Sequence, residues 1–584
     1  MKSKRKKLLW AGTLLLFTLF CSLFLLHYLQ KSNVQKTNEE FSKFTHELFV
    51  NKISANTLTL HYTLSDPAAN GIEDAPVTFG PYLPESAGNS AAALENALET
   101  LSSFSRQELS EANGLTYDIL NLQIQNELAL TPYTLYGEYF SPTLGTQAQL
   151  PILLAEYTFR TEEDIQDYLA LLSQLDTYYE SLMQFEQEKS QAGLFMSDET
   201  ADAIILQCQD FIAHPAQNLL LSTFEERLEA LDFLSEEEKK AYVDSNRAAV
   251  FGHVFPAYEQ LIDGLSKLKG TGTNPYGLSY YEQGKDYYTA LVACTVGTGR
   301  TMEEVKALIN EQMDTDLHTI AKIIGNHPEL LQTASRSIEQ MEPQFILETL
   351  EQKIQKDFPS VEHVSYEVKY VDPSLEAYLS PAFYLTPPMD RMNEHTIYIN
   401  PAGNYDSLSL FTTLAHEGYP GHLYQTIYEN SCDLDPVRNL FYFGGYIEGW
   451  ATYVERYSYF YTTLDPDMAA LLSANSGISL GLYAKLDVGI HYDGWTPEDA
   501  SDFLANYGIN NDNTVHSIYQ AIVQNPGNYL KYYLGAAEIQ KLKEQANAAL
   551  SDEFVLKDFH EFLLSVGPAP FPVLESYLKD WLAS

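Results

Sequence analysis

The sequence predicts a mainly α-helical protein with a small antiparallel β-sheet, preceded by one membrane-spanning helix. Long stretches carry apolar residues at spacings of three and four, which is typical of helices that bury one face. Only two short segments alternate in polarity or are rich in β-branched and aromatic residues, as strands are. An apolar run over residues 8–29 is long enough to cross a bilayer core as a helix.

The N-terminal run follows a basic tip. Residues 1–31 contain six basic residues and no acidic one, and five of the six precede the run. Because basic flanks stay in the cytoplasm, we expect residues 1–7 to be a cytoplasmic tip and residues 8–29 an uncleaved transmembrane signal-anchor. A cleaved signal peptide is the main alternative, and a lipoprotein site at Cys21 is a weaker one because the residues before it are not small. Each alternative places the body outside the cytoplasm, either on the cell membrane as a single-pass protein or secreted.

The charge balance excludes several classes of partner. The 584-residue chain has 35 Lys and Arg against 79 Asp and Glu, a formal net charge of −44. Nucleic-acid binding needs cations that neutralise phosphates, so we expect no nucleic-acid partner. The same charge disfavours docking of the folded body on an anionic membrane surface, so membrane contact should be through the N-terminal helix only.

After a polar stalk at residues 30–43, we expect a single helical domain over residues 44–584. Strands are expected at SYEVKYV (365–371) and HTIYIN (395–400), the second just upstream of the most informative segment. The clearest helical patterns cover residues 92–113, 161–190, 224–243, 302–324 and 534–550.

The segment FTTLAHEGYPGHLYQ (411–425) carries a candidate metal site. His416 and Glu417 form a His-Glu pair, and His422 follows; in zinc hydrolases two imidazoles hold the metal while the Glu activates water. The two histidines are six residues apart, which places them about 120° apart on a regular helix. Pro420 and its flanking glycines favour a bulge or break that would bring His422 back toward His416.

A third ligand is expected from the next helix. Glu448 lies in YIEGWATYVERY (446–457), 26 residues after His422, and would complete a His₂Glu set with a fourth position for water. Glu455, seven residues further on, lies on nearly the same helix face and is a candidate to orient a ligand histidine. The competing interpretation is that both histidines are polar residues beside a loop and Glu448 is a solvated helix acid.

These segments resemble the bacterial family catalogued as domain of unknown function 885. HEGYPGH and EGWATYVE match its two metal-site signatures, and the resemblance continues in LDVGIHYDGWT (486–496) and NPGNYLKYYLG (525–535), with Val488, Asn528 and Tyr529 departing from its usual residues. The resemblance implies a helical fold similar to zincin peptidases. It also implies Zn²⁺ held by His416, His422 and Glu448, with Glu417 as general base.

Residues in the downstream blocks are candidates for further roles in catalysis. His491 and Tyr532 fall at matching block positions and are candidate donors to a tetrahedral oxyanion. Asp487 precedes His491 by one helical turn and is a candidate to orient a side chain of the site. Arg438 and Arg456 are weaker candidates to bind a substrate carboxylate, since pairing with local acids is the simpler expectation.

The leading functional hypothesis is an extracellular, membrane-anchored, zinc-dependent hydrolase, most simply a peptidase with a peptide substrate. A zinc hydrolase of another amide or ester is an alternative, because the site residues do not name the bond. A catalytically silent, zincin-like surface binding protein is a third, which a complete His-Glu-His-Glu set disfavours because binding needs no general base.

Overall fold

The computed structural model confirms a mainly helical protein. It describes residues 33–80, 86–331, 337–371, 376, 380–403 and 405–583. Over these residues, no helix combines the length and the apolar character that a membrane span requires. The expected anchor over residues 8–29 and the basic tip before it lie outside the described residues.

The described chain starts with helical residues 33–53, which we call α1. The expected stalk over residues 30–43 is wrong for its described part, because Phe41 is fully buried and the Asn38 side chain bonds the backbone of Glu108 and Ser110. Three more helices complete this N-terminal layer: α2 (Thr57–Thr63), α3 (Ser86–Ser102) and α4 (Glu111–Leu130). The helix expected over residues 92–113 is therefore interrupted, and Ser110 caps α4 by accepting from the Asn113 N–H.

Seven helices form the next unit around their own apolar core. They are α5 (Thr146–Ala155), α6 (Glu162–Leu172), α7 (Leu175–Gln191), α8 (Asp198–Ala213), α9 (Leu219–Glu229), α10 (Glu236–Ala249) and α11 (Phe255–Leu268). The patterns expected over residues 161–190 and 224–243 each divide into two helices. Thr161 and Ser235 begin α6 and α10 with reciprocal side-chain caps, which explains where those helices start.

A three-stranded sheet follows the helices α12 (Gly284–Val296), α13 (Met302–Asn326) and α14 (Pro343–Lys353). Its strands are β1 (Tyr366–Tyr370), β2 (Ala382–Leu385) and β3 (His395–Ile399), in the order β1-β3-β2. The two expected strands are confirmed and pair in parallel, with Tyr366 opposite His395. The expected antiparallel sheet is wrong in this respect, because only β2, which was not predicted, pairs antiparallel with β3.

The remaining helices enclose the largest apolar core. They are α15 (Ser407–Glu417), α16 (His422–Ser431), α17 (Gly444–Ser458), α18 (Pro466–Val488), α19 (Pro497–Ala505), α20 (Asp512–Val523), α21 (Asn528–Leu550), α22 (Leu556–Val566) and α23 (Phe571–Ala583). A π-helical turn over Gly489–Asp493 extends α18. The edge strand β2 lies against α15, so the sheet stands beside the segment with the His-Glu pair.

Candidate metal centre

The helix that carries the His-Glu pair ends directly after it. α15 stops at Glu417 and α16 starts at His422, which confirms the predicted break. The turn between them is tight, because a Cβ atom at Gly421 would stand 1.7 Å from the carbonyl oxygen of His416. From the buried side, the indole N–H of Trp450 donates to the carbonyl of Pro420 at 2.9 Å. The two imidazole centroids consequently lie 4.9 Å apart despite the long spacing in sequence.

One carboxylate oxygen meets both imidazoles. Oε2 of Glu448 lies 3.6 Å from Nε2 of His416 and 3.5 Å from Nε2 of His422. Ligand atoms about 2.0–2.1 Å from a tetrahedral zinc ion stand about 3.3–3.4 Å from each other, so each of these two distances is close to that between two ligands of one ion. The sequence prediction that Glu448 joins the two histidines is thus met in position, and its role as a ligand stays a prediction.

Glu448 reaches this point because α17 and α21 approach each other closely. A Cβ atom at Gly449 would lie 2.5 Å from the carbonyl carbon of Gly535, and one at Gly535 would lie 2.2 Å from the carbonyl oxygen of Gly445. Only glycine allows two helix backbones to come so near. The glycine that follows Glu448 and the glycine that ends the last block are therefore explained by packing, which sets the two helices beside the histidines.

Glu417 lies beside the same point. Ligand-type atoms of His416, Glu417 and His422 lie within 4.8 Å of one another, so Glu417 competes with Glu448 as third ligand. We favour Glu448, because one of its oxygens faces both Nε2 atoms whereas Oε2 of Glu417 accepts the Tyr384 backbone N–H at 2.9 Å. Burial raises the pKa of Glu417 above its ordinary value, against the lowering effect of both histidines. A raised carboxyl pKa is the direction that suits a general base.

Glu455 lies within hydrogen-bond distance of the first imidazole. Its Oε2 lies 3.0 Å from Nδ1 of His416, which leaves Nε2 to face Glu448. Burial lowers the pKa of His416, but Glu448 and Glu455 outweigh burial and raise this pKa well above its ordinary value. Burial raises the pKa of Glu448, and His416 and His422 outweigh it and hold this pKa well below its ordinary value. His416 and Glu448 thus favour each other's charged forms.

Three further side chains surround the Glu448 carboxylate. Tyr442 donates its hydroxyl to Oε1 at 2.7 Å, Lys531 Nζ lies 3.7 Å from the same oxygen, and the Tyr532 ring lies 6.4 Å from the His416 ring. Burial and then the charges of Glu448 and Glu417 raise the pKa of Tyr532 well above its ordinary value, so its hydroxyl stays protonated. Tyr532 was predicted, whereas Tyr442 and Lys531 were missed. In the sequence, Lys531 directly precedes Tyr532, whereas Tyr442 lies six residues before Glu448 and carries no signal of its own.

Tyr405 is another neighbour that sequence reasoning missed. Burial and the charge of Glu417 raise the pKa of Tyr405 to about 12. Its hydroxyl is buried and has no hydrogen-bond partner among the described residues. It stands two residues before α15 begins, in a polar loop whose sequence gave no sign of this contact.

His491 does not join the cluster, which corrects its predicted role as an oxyanion donor. Its side chain is 1% exposed, Nδ1 accepts the Leu278 N–H at 3.2 Å, and Nε2 lies 2.9 Å from the Ile522 carbonyl. Burial lowers its pKa to about 4, so the ring is neutral and its single N–H donates to Ile522. No N–H remains for a reacting oxyanion, and the ring instead ties the end of α18 to α20.

Asp487 also acts away from the histidines. Its Oδ1 accepts the Tyr288 hydroxyl at 2.6 Å and the Gly527 N–H at 2.9 Å. The prediction that Asp487 directly orients a side chain of the site is wrong. Asp487 instead anchors the backbone turn that precedes α21. That helix carries Lys531 and Tyr532, so Asp487 supports the site through one intervening element.

The same architecture occurs in solved structures. A protein from Colwellia psychrerythraea superposes with a TM-score of 0.82 at 19% identity, covering 94% of this chain and 99% of that one. A protein from Shewanella oneidensis superposes with a TM-score of 0.65 at 17% identity, covering 92% and 99%. Both are described as "putative lipoprotein". At these identities the likeness shows the fold alone.

Sequence comparison identifies the family. Among curated proteins, none matches the chain. The profile of one family, described as a bacterial protein of unknown function (DUF885), matches residues 70–578 and so spans the sheet, the histidine cluster and the downstream blocks. The chain therefore belongs to the DUF885 family.

Proposed function

We propose that the protein is a zinc-dependent hydrolase that cleaves peptide bonds. The observation that carries the proposal is the convergence of Nε2 of His416 and Nε2 of His422 on one oxygen of Glu448, with a second carboxylate, Glu417, at their side. This donor set matches the His₂Glu type of catalytic zinc site, which leaves one position open. A site with only a structural metal would need no second carboxylate beside the ligands.

Glu417 is the proposed proton carrier. When bound, zinc supplies a Lewis acid that makes a water molecule more acidic and polarises a carbonyl group. Glu417 accepts the water proton and passes it to the leaving amine, while the Tyr384 N–H holds one of its oxygens in place. The raised pKa of Glu417 brings its proton affinity closer to that needed for both transfers.

Tyr532 is the proposed donor to the tetrahedral oxyanion. It remains from the two donors expected in the downstream blocks, because both ring nitrogens of His491 bond the backbone. Its raised pKa keeps a proton on the hydroxyl for donation. Tyr442, which is 53% exposed and bonds Glu448, is a second hydroxyl that could turn from the carboxylate toward a substrate.

The proposed location is the outer face of the cell membrane. The argument is the apolar run over residues 8–29 with its basic flank. The acidic body would then face the external medium, where its negative charge keeps it soluble.

A library of mixed peptides tests the proposed activity. The full-length protein would be incubated with the library, and new peptide termini would be read by mass spectrometry. We expect cleavage that a chelator abolishes and added zinc restores. Zinc-loaded protein that cleaves no peptide would contradict the proposal and favour another amide or ester as the substrate, or a binding function.

A further inference from the structure

The two carboxylate oxygens of Glu448 have different neighbours. Oε2 faces the Nε2 atoms of His416 and His422. Oε1 accepts the Tyr442 hydroxyl at 2.7 Å and lies 3.7 Å from Nζ of Lys531. One oxygen therefore faces the candidate metal position, and the other faces a hydrogen-bond donor and a cation.

Packing at the start of α17 fixes Tyr442 and Lys531 beside Oε1. Tyr442 lies two residues before α17, and Lys531 lies in the first turn of α21. A Cβ atom at Gly444 would stand 3.1 Å from Cε1 of Tyr442 and 3.2 Å from Cβ of Lys531, so both side chains pack on this glycine. Nζ of Lys531 also lies 5.8 Å from the ring centroid of Tyr442 and 5.0 Å from that of Tyr532, within the range of cation–π contacts.

Lys531 directs its charge at Glu448. Among the described residues, no other acidic side chain lies within ion-pair distance of its Nζ. The side chains of Lys531 and Glu448 are 15% and 13% exposed, so solvent screens the two charges less than it would on an open surface. Oε1 would therefore turn toward a metal ion only by losing its contacts with both the hydroxyl and the ammonium group.

The number of oxygens that Glu448 gives to the metal decides whether a position stays open. A catalytic zinc site has three protein ligands and one open position, and a carboxylate bound through both oxygens would take up that position. We propose that Tyr442 and Lys531 are positioning residues that hold Oε1 away from the metal, so that Glu448 binds Zn²⁺ through Oε2 alone. This inference rests on the proposed zinc site and assigns Tyr442 to the carboxylate, in contrast to a turn of its hydroxyl toward a substrate.

The absorption spectrum of the cobalt-loaded, full-length protein tests this inference. Co²⁺ replaces zinc in the metal-free protein, and its visible bands weaken when the coordination number rises from four to five. Tyr442→Phe, Lys531→Met and the double variant are compared with the wild-type protein. We expect intense bands from the wild-type protein and weaker bands from the double variant, because Oε1 is then free to join the metal. Tyr442→Phe alone, which keeps the aromatic ring, gives the same readout if the double variant does not fold.

Zinc content and peptide cleavage are measured on the same proteins. The variants should keep their zinc, because an additional oxygen contact replaces the lost neighbours of the carboxylate. Cleavage should fall about tenfold or more, because the open position is lost. Tyr370→Phe, at an exposed tyrosine of β1, and Lys541→Met, on the same helix as Lys531, are the controls and should leave the spectrum and cleavage unchanged.

The outcomes separate this inference from the proposed function. Wild-type protein that binds no zinc would refute the proposed zinc site itself. Zinc-loaded wild-type protein whose cobalt spectrum is the same as that of the double variant would overturn the positioning role alone, and so would loss of zinc from that variant. A Tyr442→Phe protein that keeps the wild-type spectrum but loses cleavage would indicate that the hydroxyl acts on the substrate, and would also overturn the inference.

Discussion

Two groups of histidine, carboxylate and tyrosine side chains differ in what their polar atoms contact. In the first, the Nε2 atoms of His416 and His422 face a carboxylate oxygen of Glu448. In the second, both ring nitrogens of His491 bond the backbone, and Asp487 bonds Tyr288 and a backbone N–H. We propose that the first group exchanges these contacts for a metal ion, whereas the second group holds helices and loops of the fold together.

The two groups also differ in the exposed fraction of their side chains. The side chains of His416, His422 and Glu448 are 13%, 17% and 13% exposed, while His491 and Asp487 are 1% and 0% exposed. A substrate or a metal ion can reach only the first group. Residue type and position in the family blocks predicted a functional role for both groups. In the structure, burial and the number of polar atoms already hydrogen-bonded distinguish them.

The strongest test of this difference removes the proposed general base. Glu417→Gln should lower peptide cleavage by about 10²–10⁴-fold, because the amide cannot accept a proton from water. Its zinc content, measured by elemental analysis, should not change. Glu348→Gln, the same replacement on the exposed face of α14, is the control and should cleave normally. Wild-type cleavage by Glu417→Gln would show that the mechanism is wrong.

The next effect concerns the metal itself. His422→Ala should remove most of the zinc bound per protein molecule, because only His416 and Glu448 would remain from the ligand set. Zinc is measured in the purified full-length protein by elemental analysis. His318→Ala replaces an exposed histidine of α13 and should keep the metal. An unaltered zinc content in His422→Ala would refute the ligand assignment.

A smaller effect on zinc binding is expected at Glu455, which contacts the proposed ligand His416. Glu455→Gln should weaken zinc binding about 10- to 100-fold, because the hydrogen bond to Nδ1 of His416 loses its charge and the imidazole becomes a poorer ligand. Competition with a chelator of known affinity measures the change. If zinc affinity were as high as in the wild-type protein, Glu455 would have no positioning role.

Substitutions in the second group, which contains His491 and Asp487, should instead change the stability of the folded protein and the dependence of that stability on pH. Burial raises the pKa of Asp487 to about 7 from a usual value of 3.8, against the bonds from Tyr288 and Gly527. The folded protein therefore binds this proton more tightly than the unfolded chain, so the stability contribution is complete below about pH 4 and is lost as pH rises to about 7. The loss is at most about 4 kcal/mol.

Asp487→Asn should abolish this pH dependence, because asparagine keeps the acceptor oxygen and cannot ionise. We expect the melting temperature of the variant to fall less than that of the wild-type protein between pH 5 and pH 8. The zinc content of the variant should equal that of the wild-type protein. Parallel melting curves for the two proteins across this range would contradict the raised pKa.

Local signals predicted much of the fold and most of the cluster. The strand at His395–Ile399, the helix Met302–Asn326 and the break at Gly418–Gly421 all follow from residues within the segment. The strand β2 could not be predicted, since its four residues become a strand only by pairing with β3. Its partner segment was expected, but a strand of this length carries no periodicity of its own.

Non-local packing accounts for the errors at the site. The backbone of Leu278 and Ile522 occupies both ring nitrogens of His491, and these residues are distant in sequence, so block position alone could not exclude His491 as a donor. Lys531 was overlooked because its contact with Glu448 arises only when α17 and α21 pack through Gly449 and Gly535.

Anomalous diffraction at the zinc edge, on crystals of the zinc-loaded protein, tests the central claim most directly. We expect one strong anomalous peak within bonding distance of Nε2 of His416, Nε2 of His422 and a carboxylate oxygen of Glu448, with Glu417 near but not bound. A peak absent from this position, or one coordinated by Glu417 in place of Glu448, would contradict the assignment.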